Sequence, residues 1–154
     1  MAEPPEQSVT LAELGARMAQ ATPQSAALGF RIVSVEAGLA TMAVDYKPEL
    51  VGDPETGVVA GGVVTTLLDH VCGLAVSSRL LSEGQFTRVA TLDLRIDYMR
   101  AAEPGKAILG RAHCYKLGHA IAFVRAAAFD VDEADPVATA QAAFSIIPTE
   151  AIAP

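Results

Sequence analysis

Positive charge is scarce in this chain: 11 lysines and arginines stand against 18 acidic residues, a net charge of −7 over 154 residues. A chain of that sign lacks the basic footprint of a general nucleic-acid binder. An anionic ligand would have to be caught locally, by helix termini and single cations, against the overall field. Charge of either sign is sparse, at 19% of residues against 51% hydrophobic, which suggests a surface partly covered by further copies of the chain. Cysteine is limited to Cys72 and Cys114, too few for a disulfide framework and in keeping with a reducing cytoplasm. Tryptophan is absent, as are internal repeats, and residues 1–7 are acidic and proline-containing with no basic run before an apolar one. A secretory leader is therefore not expected.

A long uncharged apolar run is also missing. The nearest approach, residues 58–76, carries Asp69 and His70 near its middle and Gly61, Gly62 and Gly73 along its length. A central Asp costs on the order of 2.5–3.5 kcal/mol on membrane insertion, so this stretch reads as a helix buried in a folded domain. The length fits one domain, 1–154, with core enough to need no staples.

What is present reads in order. Residues 8–21 form an amphipathic helix with Leu11, Leu14 and Met18 three or four apart, capped by Ser8 or Thr10 and stopped by Pro23. Residues 1–23 are thus an N-terminal helical extension. Strands over 30–36 and 39–46 meet across Ala37-Gly38. The 47–57 segment, dense in Pro, Gly, Asp and Glu, reads as a loop of the kind that often carries function. Over 61–81 the period is helical and nearly every face is apolar, which predicts burial on all sides.

Four strands follow, over 89–99, 106–116, 119–131 and 137–147. In the first, Ala90, Leu92, Leu94, Ile96 and Tyr98 alternate with Thr91, Asp93, Arg95 and Asp97, which puts Thr91 on the polar face. Short links predict an antiparallel sheet. One helix with only strands to cover it requires that sheet to curl around it. The expected fold class is α+β, an antiparallel sheet wrapped around one long central helix.

The segment that carries chemistry runs from Ala60 to His70. Gly61 and Gly62 open the helix without side chains, so its first free N–H groups are unshielded at the positive end of the dipole and can donate to a developing oxyanion. Asp69 follows in an apolar helix, where a carboxylate is costly unless paired or used. Its neighbours three and four residues away, Thr65, Thr66, Cys72 and Gly73, are small enough to leave room for a ligand or a second chain. At 1.5 Å per residue, Gly61 and Asp69 lie about 12 Å apart and cannot both touch one carbonyl group. Two such helices packed antiparallel about a twofold axis would bring the glycine end of one to the Asp of the other. The chemistry therefore predicts a dimer with two composite sites.

In order and spacing, the Gly-Gly helix start, Asp69, the strand from Thr91 to Arg100 and Lys116-Leu117-Gly118-His119 resemble the hotdog-fold acyl-CoA thioesterases of the PaaI and 4-hydroxybenzoyl-CoA thioesterase type. The resemblance covers residues 28–147. It implies hydrolysis of an acyl-CoA thioester, with the Gly61 amide polarising the carbonyl and Asp69 of the partner chain as general base or as nucleophile. Thr91 would help to hold the attacking water. Gly62, Tyr98, Met99, Arg100, Lys116, Leu117, Gly118 and His119 would grip the substrate, with Arg100, Lys116 and His119 as phosphate partners. No metal and no cofactor is implied, since coenzyme A arrives as part of the substrate. A homodimer, paired into a tetramer as a dimer of dimers, would be the working form.

The chain departs from the family pattern at two positions. Ala60 stands where the family has the His of His-Gly-Gly, and Pro54 where an Asn or Gln is common six residues earlier. A protein that binds acyl-CoA without turning it over is the competing reading. A hotdog dehydratase is disfavoured, because Asp69 and His70 point about 100° apart on a helix. Plainer roles exist for the same residues: glycines for close packing, His70 as a satisfied buried imidazole, and Arg100, Lys116 and His119 as solvated ends.

Overall fold

The computed structural model describes residues 9–147; residues 1–7 and the alternative cap Ser8 lie outside them. Helix α1 (Leu11–Ala21) begins in a reciprocal cap. The Thr10 hydroxyl accepts from the Glu13 amide at 3.2 Å, and the Thr10 amide donates to Glu13 Oε2 at 2.8 Å. Pro23 does more than stop this helix. It is the first residue of a short second one, α2 (Pro23–Leu28), which ends on Gly29 at φ 76°.

Strands β1 (Phe30–Glu36) and β2 (Leu39–Val44) form the expected hairpin. The 47–57 segment is more ordered than a loop. It holds a single 3-10 turn (Pro48–Leu50) and strand β3 (Val51–Asp53), which pairs with β4 (Val58–Val59). Helix α3 (Gly61–Ser82) follows, then β5 (Arg88–Tyr98), β6 (Ile108–Leu117), β7 (Ile121–Phe129) and β8 (Ala138–Ile147).

Six strands make one antiparallel sheet in the order β1-β2-β6-β7-β8-β5, with α3 against it. Leu67, Leu68, Val71, Leu74 and Val76 on α3 are fully buried beside Met42, Ile108 and Val124. Each such side chain contributes on the order of 1.5–3 kcal/mol. Gly110 permits the close approach of helix to sheet, since a Cβ there would lie 3.1 Å from the Leu67 side chain. By length and hydropathy α3 could cross a membrane, but here it is the core helix of the domain.

The expectation that α3 is buried on all sides holds only for its middle. Val71 to Val76 are wholly covered, whereas Gly61 and Gly62 are exposed and Thr65, Thr66, Asp69 and His70 half-buried. Gly61, Thr65 and Asp69 recur every four residues, so they form one stripe on the helix. That stripe looks toward β5, the strand at the sheet's edge.

Candidate active site

Asp69 is half-buried on α3, and its Oδ1 accepts a hydrogen bond from Thr91 Oγ1 at 2.8 Å. Simple alternation along β5 would turn Thr91 away from the helix, together with Asp93, Arg95 and Asp97. A β-bulge overturns that expectation. The pairing with β8 runs Thr91↔Phe144 and then Asp93↔Ala143, which leaves Leu92 as the extra residue, 58% exposed. One inserted residue exchanges the two faces of the strand beyond it. Val89 and Thr91 before the bulge therefore share the helix side with Leu94, Ile96 and Tyr98 after it.

The helix start is built by neighbouring backbone. Ala60 N–H donates to the Leu50 carbonyl at 2.8 Å, and Val63 N–H donates to the Ala60 carbonyl at 3.0 Å. Among the described residues the Gly61 and Gly62 amides have no partner, and a Cβ on Gly62 would meet nothing within 4 Å. The carbonyls are the occupied side. Tyr98 hydroxyl donates to the Gly61 carbonyl at 2.6 Å and sits 2.7 Å from Thr65 Oγ1. The Thr66 hydroxyl donates to the Gly62 carbonyl at 2.8 Å. A bond to the Gly61 carbonyl polarises its peptide unit, whose N–H belongs to Gly62, and strengthens that donor.

The two positions that depart from the family pattern lie in and beside the β3–β4 hairpin. Gly52 presses on Ala60: a Cβ at 52 would stand 2.8 Å from the Ala60 Cα, a distance no side chain tolerates. Pro54 lies in the turn between β3 and β4, which is held from within. Asp53 accepts from the Glu55 amide at 3.1 Å and from the Thr56 hydroxyl at 2.6 Å, bonds that lower its pKa. The hairpin thus seats the helix start through the Ala60 N–H bond to Leu50 and the close approach of Gly52 to Ala60.

The expected phosphate partners divide. Arg100 is fully engaged inside the chain. Its Nε donates to Asp135, and its two terminal nitrogens donate to both Asp130 oxygens and to the Ala101 and Asp135 carbonyls. Those bonds use all five donors of a guanidinium, so Arg100 has none left for a phosphate and serves as a clamp at the end of β5. The Asp130 side chain is fully covered, and the Arg100 hydrogen bonds hold its carboxyl far below the usual carboxylate range. Lys116 and His119, by contrast, are exposed, and Lys116 has no ion-pair partner among the described residues. Between them Gly118 N–H donates to the Ile121 carbonyl at 2.9 Å, and a Cβ on Gly118 would lie 2.7 Å from that oxygen.

Register shows what one chain brings together. Tyr98, Ala138 and Ala128 lie level across the sheet at the end where α3 starts. Ala90, Ser145 and Ile121 lie level at the other end. The 116–119 turn therefore sits near the Thr91 half of β5, two to three strand spacings or roughly 10–14 Å to the side, and far from Gly61, Tyr98 and Met99. A single chain thus holds two separated groups: the glycine helix start, and a carboxylate with a basic turn beyond it. His70 belongs to neither, its ring standing edge-on to Phe30 with centroids 5.8 Å apart. Sequence reading missed the bulge, the Tyr98 bond to Gly61 and the Arg100 clamp; the acidic run after Asp130 was the available signal for the last.

A long helix on a six-stranded antiparallel sheet, with an open glycine start and a carboxylate two turns on, defines the hotdog class. The comparisons agree. A family model described as the thioesterase superfamily matches residues 56–137, more than half of the chain. The medium/long-chain acyl-CoA thioesterase YigI of Salmonella typhimurium is 29% identical over 121 residues, covering 72% of this chain and 77% of that protein. YigI of Escherichia coli strain K12 is 30% identical over 113 residues, 67% of this chain and 72% of that one. Among solved structures, a Pseudomonas aeruginosa protein is 36% identical with a TM-score of 0.80, covering 90% of this chain and 100% of its own. The phenylacetic acid degradation protein PaaI of Thermus thermophilus, 23% identical with a TM-score of 0.69 over 81% of this chain and 99% of that one, shares the fold. The chain belongs to the thioesterase superfamily and is a thioester hydrolase of the hotdog fold.

Proposed function

We propose that this chain hydrolyses acyl-CoA thioesters at two composite sites of a homodimer. One observation carries the reading: Asp69, braced by Thr91, and the unpartnered Gly61 and Gly62 amides lie on the same open stripe of α3 but about 12 Å apart. One thioester reaches both kinds of group only if they come from two chains. The edge position of β5 supplies the means. Among the described residues its outer edge is unpaired, and Phe86, Leu92, Tyr98 and Met99 on or beside it are large apolar residues half-exposed or more. An exposed edge of eleven residues is a template for a second copy. Antiparallel pairing across a twofold axis carries the Tyr98 end of one β5 to the Thr91 half of the other.

In such a site the thioester carbonyl accepts from Gly61 N–H of one chain, with Gly62 beside it. Asp69 of the other chain takes a proton from water as the water oxygen bonds to the carbonyl carbon, and the charge moving to the carbonyl oxygen is met by the helix N-terminus. Collapse breaks the C–S bond, and the coenzyme A thiolate leaves with the proton from Asp69. Thr91 occupies Oδ1 and leaves Oδ2 to the water. Tyr98 and Met99 of the glycine chain and the Lys116 to His119 turn of the Asp chain flank the path of the coenzyme, with Lys116 and His119 as the cations for its phosphates. Two dimers join into a tetramer. The reduced, buried Cys72 and Cys114 accord with a cytoplasmic setting.

The test is a thiol-release assay on a panel of acyl-CoA esters with purified protein, beside calorimetric binding. Release that disappears in Asp69→Asn is expected. Binding across the panel with no release would instead favour an acyl-CoA-binding protein, the role that Ala60 and Pro54 leave open.

A further inference from the structure

An apolar groove of about 450 Å³ lies between α1, the second half of α3 and the start of β5. Leu14 and Met18 of α1 form one wall, Ser77 of α3 the floor, and Phe86 and Val89 the other wall, with Gln85 and Arg88 at the rim. Its volume falls within the ordinary range for small-molecule sites, roughly 300–1,000 Å³.

The groove lies beyond the candidate active site on the same side of α3, although Asp69, Gly73 and Thr91 are not part of its lining. Asp69, Gly73 and Ser77 recur every four residues along α3, and Thr91 and Val89 alternate on the helix side of β5. Going from the Asp69–Thr91 pair toward the groove, helix and strand thus present Gly73 and then Ser77 on one side, Val89 on the other. Gly73 at the junction is buried, with Phe144 Cε1 3.4 Å and Met18 Cε 3.9 Å from where a Cβ on it would be, so these two side chains close the passage. A flexible thioether at that point can move aside for a chain at little cost. Ser77 is two helical turns from Asp69, about 12 Å, which a short acyl group does not span and an extended aliphatic chain does.

We infer that this groove holds the aliphatic tail of the substrate and that α1, through Leu14 and Met18, is the wall that sets its length. This rests on the proposed hydrolysis at Asp69. Helix α1 lies outside the residues that match the family model, 56–137, so the wall is not built by that segment. It also gives the amphipathic extension a purpose beyond capping the sheet, because its apolar stripe lines the space where the tail would run.

The experiment compares kcat/KM across acyl-CoA esters from acetyl to palmitoyl in the wild type, Met18→Trp, Ser77→Leu and Met18→Ala. The two filling variants are expected to lose at least tenfold on the long chains while the acetyl and butyryl esters change by less than twofold. Met18→Ala is expected to move the optimum toward longer chains. Ser77→Leu adds volume at a half-buried helix position, so it keeps the test alive if Met18→Trp does not fold. A uniform loss across all chain lengths, or an unaltered profile, overturns the inference. So does a filling variant that weakens the dimer at unchanged profile, since the groove would then belong to the partner chain. If no ester is hydrolysed at all, the proposed activity fails separately. The groove is then judged by calorimetry with non-hydrolysable S-alkyl-CoA thioethers: affinity rising with alkyl length in the wild type and flat in Ser77→Leu upholds it, and equal slopes overturn it.

Discussion

The Tyr98 hydroxyl bonds the Gly61 carbonyl at 2.6 Å, so the last residue of β5 is tied to the first residue of α3. Strand edge and helix start thereby keep one geometry, although the residues are 37 apart in sequence. The same hydroxyl lies 2.7 Å from Thr65 Oγ1, so its loss frees the first turn at two points while the ring stays in place.

Tyr98→Phe is accordingly expected to lower kcat up to about tenfold, the scale of one net hydrogen bond. Melting temperature should change little. Steady-state kinetics beside a thermal melt separates this from a general loss of fold, in which activity and melting temperature would fall together.

Asp69→Asn preserves an acceptor for the Thr91 hydroxyl and removes the proposed base. A rate loss of roughly 10²–10⁴ is expected, with substrate still bound. Thr91→Val leaves the carboxylate unbraced and should cost about tenfold in kcat. A single turnover in ¹⁸O-water distinguishes the two roles open to Asp69. Label in the released acid alone supports the base, whereas label retained in the Asp69 carboxylate identifies an anhydride intermediate.

Asp130 links acid stability to the Arg100 clamp. Its carboxyl is held far below its ordinary value by Arg100 and by the Glu103 amide at 2.6 Å. A depressed carboxylate stabilises the fold above its unfolded pKa of about 3.9, and that contribution drains as pH falls from there toward the folded value. Asp130→Asn should therefore lower the melting temperature by several degrees at pH 7 and flatten its fall between about pH 4 and pH 2. Melts across that range check it; parallel curves would show that the clamp carries no linkage.

Much of the fold was legible because its elements are local. The Thr10 and Glu13 cap, the Phe30–Glu36 strand and the helix opening at Gly61 all follow from spacing within a few residues. Asp69 could be singled out as a carboxylate among aliphatic residues, and Thr91 only through the family resemblance. Their meeting could not be read, because it depends on the bulge at Leu92, and an alternating pattern is blind to one extra residue. Arg100 misled for a related reason. Its partners Asp130 and Asp135 lie 30 and 35 residues away, so a cation committed to the fold looked free. The open face of α3 was missed because aliphatic content signals burial without saying what does the covering, and here β5 ends the sheet on that side.

Mixed dimers test the central claim most directly. Gly61→Pro deletes the proposed donor at the first helical position, where proline is favoured; Ala60, at φ −58°, ψ 135°, is already outside the helical region that a following proline disfavours. This variant alone should lose roughly 10²–10³ in kcat, and Asp69→Asn alone is nearly inactive. Unfolded together and refolded at equal amounts, the two should recover about a quarter of wild-type activity, since half of the dimers are mixed and each has one intact site. No recovery above the separate variants, with mixed dimers present by mass, would mean that the amide and the carboxylate do not act across the two chains.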